Sequence, residues 1–377
     1  MFSEKQKKPV LLSPVTLGKY KLRNRVIMAP LTRRRCTDEH VPTDIMRIYY
    51  EQRASAGLII AEAAAVSPQA VGYLNSPGIF TQEQVKAWKP ITKAVHNKNG
   101  LIFLQLWHVG RISHPLLQPD GQLPVSASAK KAEGYASTLK GKKSFVTPRA
   151  LDADEIPGII NDFKNASENA IEAGFDGVEI HGANGYLLDQ FLHDGSNIRT
   201  DNYGGSIKNR SRLLTEVTRA ICNAIGSERV GVRLSPSGIY KDMIDSNPVK
   251  LYEYIINQLN HFQMAYLHLL EPLVLLEPEK EYSRYLKIIT PHFRKFYIGT
   301  LITNCGYDFK SGNKIIEDGY ADLVAFGKLF ISNPDLVERF ATGAPLNPWD
   351  EDTFYYGGGK GYIDYPFLYA DTDSYRY

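Results

Sequence analysis

Short apolar runs separated by longer amphipathic segments repeat along most of the chain. Eight of these runs are apolar on both faces, which is typical of strands that are covered by helices. They are Val26–Ala29, Leu58–Ala61, Leu101–Leu106, Gly177–His181, Val230–Leu234, Tyr266–Leu270, Tyr297–Leu301 and Leu323–Phe326. The segments between and after them predict helices at Asp44–Ala56, Gln82–Asn99, Asp154–Ala173, Asn209–Ile225, Pro248–His261, Lys280–Phe293, Phe309–Asp318 and Asn333–Ala341.

This alternation predicts an α/β fold in which eight parallel strands close into a (β/α)8 TIM barrel. An open doubly wound sheet is the alternative, but the number and even spacing of the strands favour closure. Alternating residues around Gly18 in Leu11–Leu22 predict a hairpin across one end. No Pro-, Ser- or Gly-rich linker divides the chain, so we expect a single domain over 1–377 with its core at about 12–369.

Cap signals mark several helix starts. Thr81 stands before the second helix, and Asn333 with Pro334 is expected to begin the last one. The largest irregularity is Trp107–Ala153, which contains several Pro and Gly residues. A segment that long after a strand is usually functional, and it would cover the face where barrels place their active sites.

Composition narrows the class of protein. The chain is 43% hydrophobic and 23% charged with a net charge of +3, and no basic run is interleaved with aromatics, so a nucleic-acid partner is not expected. Cys36, Cys222 and Cys305 form neither a disulfide framework nor a zinc spacing, so we expect no metal site and a reducing, cytoplasmic location. The charged N-terminus does not resemble a signal peptide, and no apolar run approaches the ~20 residues of a membrane span.

The stretch that organises the candidate chemistry is Phe175–Leu188, which reads FDGVEIHGANGYLL. The pattern predicts a strand, a Gly-rich turn and a helix, with His181, Asn184 and Tyr186 at the strand's exit. All three side chains donate hydrogen bonds, which suits a carbonyl oxygen or an anion. The alternative is a capped helix start with a tyrosine in the core.

Other strand exits supply complementary groups. Thr32 offers a hydroxyl, Gln105 can bond an amide-like ring edge, and Arg233 is costly to bury unless it meets a carboxylate or an anionic ligand. After the last two strands, Gly306 and Gly327–Lys328 suggest a phosphate site. A flat ring with amide edges, an anionic part and a phosphate fits FMN. No G-x-G-x-x-G motif follows a strand, so a second nucleotide-binding domain is not expected.

Glu62, at the exit of the second strand, allows two other interpretations. It is either salt-bridged for structure or one of a carboxylate pair in a barrel glycosidase. A non-catalytic flavin-binding protein is the third possibility.

Six segments, in order, resemble the Old Yellow Enzyme family of FMN-dependent ene-reductases, which includes the oxophytodienoate reductases. They are MAPLTR (Met28–Arg33), HGANGYLLDQFL (His181–Leu192), SNIRTDNYGGSIKNRSRL (Ser196–Leu213), VGVRLSP (Val230–Pro236), AFGKLFISNPDL (Ala325–Leu336) and GYIDYP (Gly361–Pro366).

This resemblance implies that the enzyme reduces the C=C bond of α,β-unsaturated carbonyl compounds, with hydride passing from NADPH or NADH through bound FMN. It implies that His181 and Asn184 hold the substrate oxygen and that Tyr186 protonates the α-carbon. The residues implied to line FMN are Pro30, Leu31, Thr32, Ala61, Gln105, Arg233, Cys305, Gly306, Gly327 and Lys328. Those implied to wall the substrate site are Trp107, Phe354 and Tyr355.

Two positions depart from the family pattern. Cys305 stands where a glycine is usual, and it offers its N–H if its φ is negative. Lys328 stands where an arginine is usual, which keeps the charge but loses the bidentate grip. Both changes suggest weaker FMN binding. The substrate itself is expected to be selected by Trp107–Ala153 and Glu271–Tyr285, and either a monomer or a homodimer is compatible with the sequence.

Overall fold

Eight parallel strands form a closed barrel in the computed structural model, which describes residues 9–238, 240–272 and 289–369. The strands follow one another around the barrel in chain order, and the eighth pairs with the first. They are β1 (Val26–Met28), β2 (Leu58–Ala65), β3 (Ile102–Trp107), β4 (Gly177–Gly182), β5 (Val230–Leu234), β6 (Tyr266–Leu270), β7 (Leu301–Asn304) and β8 (Leu323–Phe326). The prediction of a closed barrel is therefore confirmed.

Helices surround the barrel. They are α1 (Asp44–Gln52), α2 (Gln82–Asn97), α3 (Ile156–Glu172), α4 (Leu187–Leu192), α5 (Ile207–Arg210), α6 (Arg212–Ile225), α7 (Pro248–Leu259), α8 (Thr290–Phe293), α9 (Phe309–Glu317), α10 (Lys328–Ser332) and α11 (Leu336–Thr342). Their apolar faces cover the strands. In α2, for example, the buried residues Val85, Trp88, Ile91 and Val95 recur at helical spacing. No helix in the described ranges is long and apolar enough to cross a membrane.

The helix-start predictions have mixed outcomes. Thr81 caps α2 in a reciprocal capping box with Gln84, as expected. The expected start at Asn333 is wrong, because Asn333 ends α10 by donating its side-chain N–H to the Leu329 carbonyl. The last helix instead begins at Leu336, with Asp335 as its N-cap.

The seventh strand is also displaced from its predicted position. Tyr297–Leu301 was the expected range, but the strand runs over Leu301–Asn304. The guanidinium of Arg294 donates to the carbonyls of Tyr297 and Gly299, which holds this segment as a loop. The predicted helix Lys280–Phe293 is seen only as α8, since residues 280–288 lie outside the described part.

Segments outside the alternation close both ends of the barrel. The expected N-terminal hairpin pairs Val15–Leu17 with Tyr20–Leu22, and Leu17 and Leu22 pack below the strands. After β3 the long segment forms a hairpin of Tyr135–Thr138 with Gly141–Ser144. Within the same segment, the short strands Val125–Ser126 and Arg149–Ala150 also pair.

The C-terminal segment returns to the exit of β1. Buried Arg33 donates to the carbonyls of Phe354 and Gly361, and the ring of Tyr362 stacks on Tyr49 of α1 at 4.1 Å between centroids. This segment therefore contributes Phe354 and its neighbours to the face where the strands end.

Candidate active site

A cavity of about 710 Å³ opens at the carboxyl ends of the barrel strands. Eight of the residues expected at the site line it: Pro30, Leu31, Thr32, Trp107, Tyr186, Lys328, Phe354 and Tyr355. The others lie within the strands or directly after them and are not among this cavity's lining residues: Ala61, Gln105, His181, Asn184, Arg233, Cys305, Gly306 and Gly327. The cavity is thus built from the segments after β1, β2 and β5, the end of β3 and the long segment that follows it, the turn after β4, α10 and the C-terminal segment.

The turn after β4 is fixed from several sides. Asn184 and Gly185 both have positive φ, 61° and 76°, and the Asn184 N–H donates to the Ser235 hydroxyl at 2.9 Å. Any Cβ at Gly185 would lie 2.9 Å from the Tyr240 carbonyl oxygen, so glycine is needed there. The turn and the segment after β5 consequently pack as one unit.

The ring of Tyr186 packs against other aromatic rings. It meets the edges of Trp107 at 4.9 Å and His181 at 5.0 Å between centroids. The Tyr186 and Tyr73 hydroxyl oxygens are 3.1 Å apart. Burial raises the pKa of Tyr186 well above its usual range, so it is a protonated phenol at neutral pH.

His181 is neutral for a related reason. Burial, followed by the positive charges of Arg233 and Lys241, lowers the pKa of His181 well below its usual range. In β4 it pairs with Arg233 of β5, and residues that pair in a parallel sheet point to the same face. A neutral imidazole beside a guanidinium can donate to an oxygen without carrying a charge of its own.

Three buried polar atoms around the cavity have no hydrogen-bond partner among the described residues. They are Nδ1 of His181, Nε1 of Trp107 and Nε of Arg233. A buried donor without a partner destabilises the folded protein by about 1–3 kcal/mol, so most buried polar atoms are hydrogen-bonded. An unpaired one therefore needs an explanation, and a bound ligand is one. Two of them, Nε1 of Trp107 and Nε of Arg233, are N–H donors, which favours a ligand that accepts hydrogen bonds.

Gln105 and Arg233, which were both expected to contact the ring of the ligand, also form hydrogen bonds to other residues of the barrel. The amide nitrogen of Gln105 donates to Glu179 at 2.7 Å, and His268 lies 2.8 Å from the other Glu179 oxygen. One of the two N–H groups of Gln105 is thus engaged, which leaves its oxygen and its second N–H for a ligand. Arg233 donates to the Asn304 side-chain oxygen at 2.9 Å, which leaves part of its guanidinium available.

The expected phosphate site shows one clear departure. Cys305 has φ of 80°, so the condition for offering its N–H, a negative φ, is not met: the cysteine adopts the left-handed conformation that favours glycine. Nothing lies within 4 Å of a Cβ built on Gly306, and only Leu31 approaches one on Gly327, so both backbones are uncovered. The Lys328 ammonium is 2.6 Å from Glu351 on the surface.

Glu62 is not placed for catalysis on a glycoside. It is fully buried, and its carboxyl accepts hydrogen bonds from the Arg33 N–H at 3.2 Å and the Tyr50 hydroxyl at 3.1 Å. Burial raises the pKa of Glu62 to about 7. Glu62 joins β2 to α1 and to the segment after β1 through hydrogen bonds, and within the described ranges it forms no ion pair in place of the expected salt bridge. It is not among the residues that line the cavity, and the glycosidase alternative is not supported.

Several lining residues were missed by the sequence reasoning. Tyr73, Arg34, Tyr240 and Lys241 lie in loops after strands, and Tyr135 lies in the hairpin over the mouth. A lysine three residues after a glycine, Gly238, in the segment following β5 was the only available signal for Lys241, and it is weak.

A model of the NADH:flavin oxidoreductase / NADH oxidase family matches residues 10–347. Relatives from Oryza sativa subsp. japonica include putative 12-oxophytodienoate reductase 2, 51% identical over 95% of this chain and 94% of its own length. They also include 12-oxophytodienoate reductase 1, 50% identical over 95% and 93%.

Solved structures match equally well. An old yellow enzyme homologue from Zymomonas mobilis superposes with a TM-score of 0.91 at 44% identity, covering 96% of this chain and all (100%) of that one. Morphinone reductase gives a TM-score of 0.91 at 47% identity over 98% and 99%. A structure of morphinone reductase in complex with tetrahydroNAD gives 0.89 at 48% identity over 97% and 99%.

Proposed function

Because the chain belongs to the NADH:flavin oxidoreductase / NADH oxidase family, we propose that His181, Asn184 and Tyr186 carry out its chemistry. The protein is an FMN-dependent, NAD(P)H-consuming ene-reductase that reduces the C=C bond of α,β-unsaturated carbonyl compounds. The observation that supports the residue assignment most directly is the protonated Tyr186 phenol, which lines the cavity beside a neutral His181.

The residues present fit FMN. The unpaired Nε of Arg233 suits an electron-rich ring edge, the free oxygen of Gln105 suits a ring N–H, and the uncovered Gly306 and Gly327 suit a phosphate. The remaining residues proposed to hold it are Pro30, Leu31, Thr32, Ala61, Cys305 and Lys328. When bound, FMN accepts a hydride from the nicotinamide and delivers it to the substrate's β-carbon.

His181 and Asn184 are proposed to hold the substrate's carbonyl oxygen. As hydride arrives at the β-carbon, negative charge grows on this oxygen, and two fixed neutral donors stabilise it more in the transition state than in the ground state. His181 is fixed in β4 and the turn that carries Asn184 is held by Ser235, so little reorganisation is needed. Trp107, Phe354 and Tyr355 are proposed to wall the substrate.

Tyr186 is proposed to protonate the α-carbon. The enolate's electron pair takes the phenolic proton, a C–H bond forms, and Tyr186 is left as a phenolate that must regain a proton before the next turnover. An enolate carbon is basic enough to accept a proton from a phenol whose pKa is above 10.

Tyr186→Phe tests this assignment. We expect NADPH to reduce the flavin at the wild-type rate and reoxidation by 2-cyclohexenone to slow by about 10²–10⁴-fold, the usual contribution of a general acid. Stopped-flow absorbance of the flavin separates the two steps. Tyr320→Phe, on the surface beyond α9, is the matched control and should change neither. Equal slowing of both steps would contradict the proposed role.

Three further properties are proposed: the nicotinamide donor, the cellular location, and the domain and oligomeric organisation. NADPH is the proposed donor because Arg34, a cation not among the residues proposed to hold FMN, lines the cavity, which suits an additional phosphate. The three free cysteines support a cytoplasmic location. The return of the C-terminal segment onto the exit of β1 supports a single domain over 1–377. The small net charge of +3 supports the proposal that no nucleic acid is bound, and either a monomer or a homodimer is compatible with the sequence. A non-catalytic flavin-binding role is not supported.

A further inference from the structure

A chain of hydrogen bonds leads away from the proposed proton donor to a lysine. The Lys241 ammonium donates to the Tyr73 hydroxyl at 2.8 Å, and the Tyr73 hydroxyl is 3.1 Å from that of Tyr186. The same ammonium lies 4.0 Å from the centre of the Tyr186 ring. All three residues line the cavity.

The direction of these bonds follows from the groups involved. An ammonium has donors only, so the Tyr73 oxygen must accept from Lys241. The Tyr73 hydrogen is then free to point to the Tyr186 oxygen, and the Tyr186 hydrogen is free to point into the cavity. Each donor in this arrangement thus faces the next residue on the way to Tyr186, which lines the cavity.

The backbone at Lys241 adopts an unfavourable conformation that its surroundings maintain. Lys241 and Asp242 both have φ of 60°, a conformation that costs of order 1–3 kcal/mol for each such residue and that persists only where surrounding contacts impose it. Buried Arg111 donates to the Lys241 carbonyl at 3.0 Å. No carboxylate in the described ranges forms an ion pair with the Lys241 ammonium, so its charge is directed at the two tyrosines.

We propose that Lys241 and Tyr73 form a relay that returns a proton to Tyr186 after each turnover, an inference that rests on the proposed role of Tyr186. The Tyr186 phenolate takes the Tyr73 proton, Tyr73 takes one from the Lys241 ammonium, and the resulting amine is reprotonated by water. No electron is transferred in these steps. Lys241 also stabilises the transient phenolate by its positive charge.

The lowered pKa of Lys241 suits it to donate a proton to Tyr73. Burial of the ammonium lowers the pKa of Lys241 well below its usual range, so it gives up a proton more readily than an exposed lysine. The titratable and charged groups that face it are Tyr73, Tyr186, Tyr240, Asp242, Arg111 and His181. Of these, Asp242 is engaged by the Glu133 N–H at 2.6 Å.

Lys241→Met and Tyr73→Phe, each as FMN-loaded protein, test the relay. We expect NADPH to reduce the flavin within about twofold of the wild-type rate and 2-cyclohexenone to reoxidise it at least about tenfold more slowly in both variants. The double variant should be no slower than the worse single one, because both residues act in one chain. Lys93→Met, on the exposed face of α2, is the control for loss of a lysine.

The pH profile distinguishes a relay from a structural role. The wild-type enone step should slow as pH rises through the ionisation of Lys241, and Lys241→Met should lose this dependence. Lys241→Arg keeps the cation and the donor but does not release a proton near neutral pH, so it should be slow as well.

Wild-type enone rates in Lys241→Met or Lys241→Arg, or equal slowing of both half-reactions, would overturn the relay. If Lys241→Met does not retain FMN, Tyr73→Phe decides, because it removes a single oxygen. Failure of the proposed function is a separate result: Tyr186→Phe would then reoxidise at the wild-type rate.

Discussion

The cysteine at the expected phosphate site shows how one residue can carry strain. Cys305 and Gly306 form consecutive left-handed positions, with φ of 80° and 77°. This conformation costs roughly 1–2 kcal/mol for a residue with a Cβ and nothing comparable for glycine. The tight turn between β7 and α9 therefore keeps a glycine conformation with a cysteine in it.

Cys305→Gly is expected to raise the free energy of unfolding by about 0.5–1 kcal/mol, since relief of strain exceeds the extra entropy that glycine has in the unfolded chain. Cys305→Ala keeps the Cβ and should give no such gain. Denaturant unfolding at saturating FMN measures both. If alanine stabilises as much as glycine, strain at this position is not the cause.

Individual site residues were predictable to the extent that they lie in strands or in the turn after β4. His181, Tyr186 and Arg233 follow from their positions at strand ends. Their partners did not follow, because bonds such as Arg233 to Asn304 join residues 71 positions apart. Lys241 depends in addition on a backbone conformation that the local sequence does not indicate.

At the scale of the elements, the buried side chain of Glu62 connects β2 to the segment after β1 and to α1. The pairing of β2 with β3 shifts register between Ala61 and Ala64, the stretch that contains Glu62. The Glu62 carboxyl accepts from Arg33 and Tyr50, and Tyr50 lies on α1. An acid between β1, β2 and α1 thus contributes to stability in a way that depends on its protonation.

Glu62→Gln should make stability less dependent on pH. The pKa of Glu62 is about 7 in the folded protein and 4.5 when exposed, so between these values the folded state holds a proton that the unfolded state has lost. Wild-type stability should therefore fall relative to Glu62→Gln by about 3 kcal/mol as pH rises from about 4.5 to above 7. Unfolding curves across this range test it; a constant difference between the two proteins would contradict it.

The type and order of the elements were predictable from hydrophobic pattern, whereas some ends were not. The displaced start of β7 depends on Arg294, and the start of α11 depends on the side chain of Asn333. Both are side-chain bonds to backbone carbonyls that compete with the regular structure. Thr81 was predictable because its capping box lies within four consecutive residues.

At the scale of the whole molecule, closure of the barrel brings distant segments to one mouth. The strand exits, the hairpin after β3 and the C-terminal segment come from positions between 30 and 356. The count of strands made the barrel predictable, and parallel closure then placed their ends together. The arrangement of the long segments over the mouth was not predictable, since they have no regular pattern.

The central claim is that this mouth holds FMN and passes hydride from a nicotinamide to an enone while Tyr186 supplies a proton. Anaerobic stopped-flow absorbance of the purified protein tests it most directly. We predict that NADPH bleaches a bound flavin and that 2-cyclohexenone then restores its colour. A protein that purifies without flavin and takes none up, or a reduced flavin that no enone reoxidises, would contradict the account.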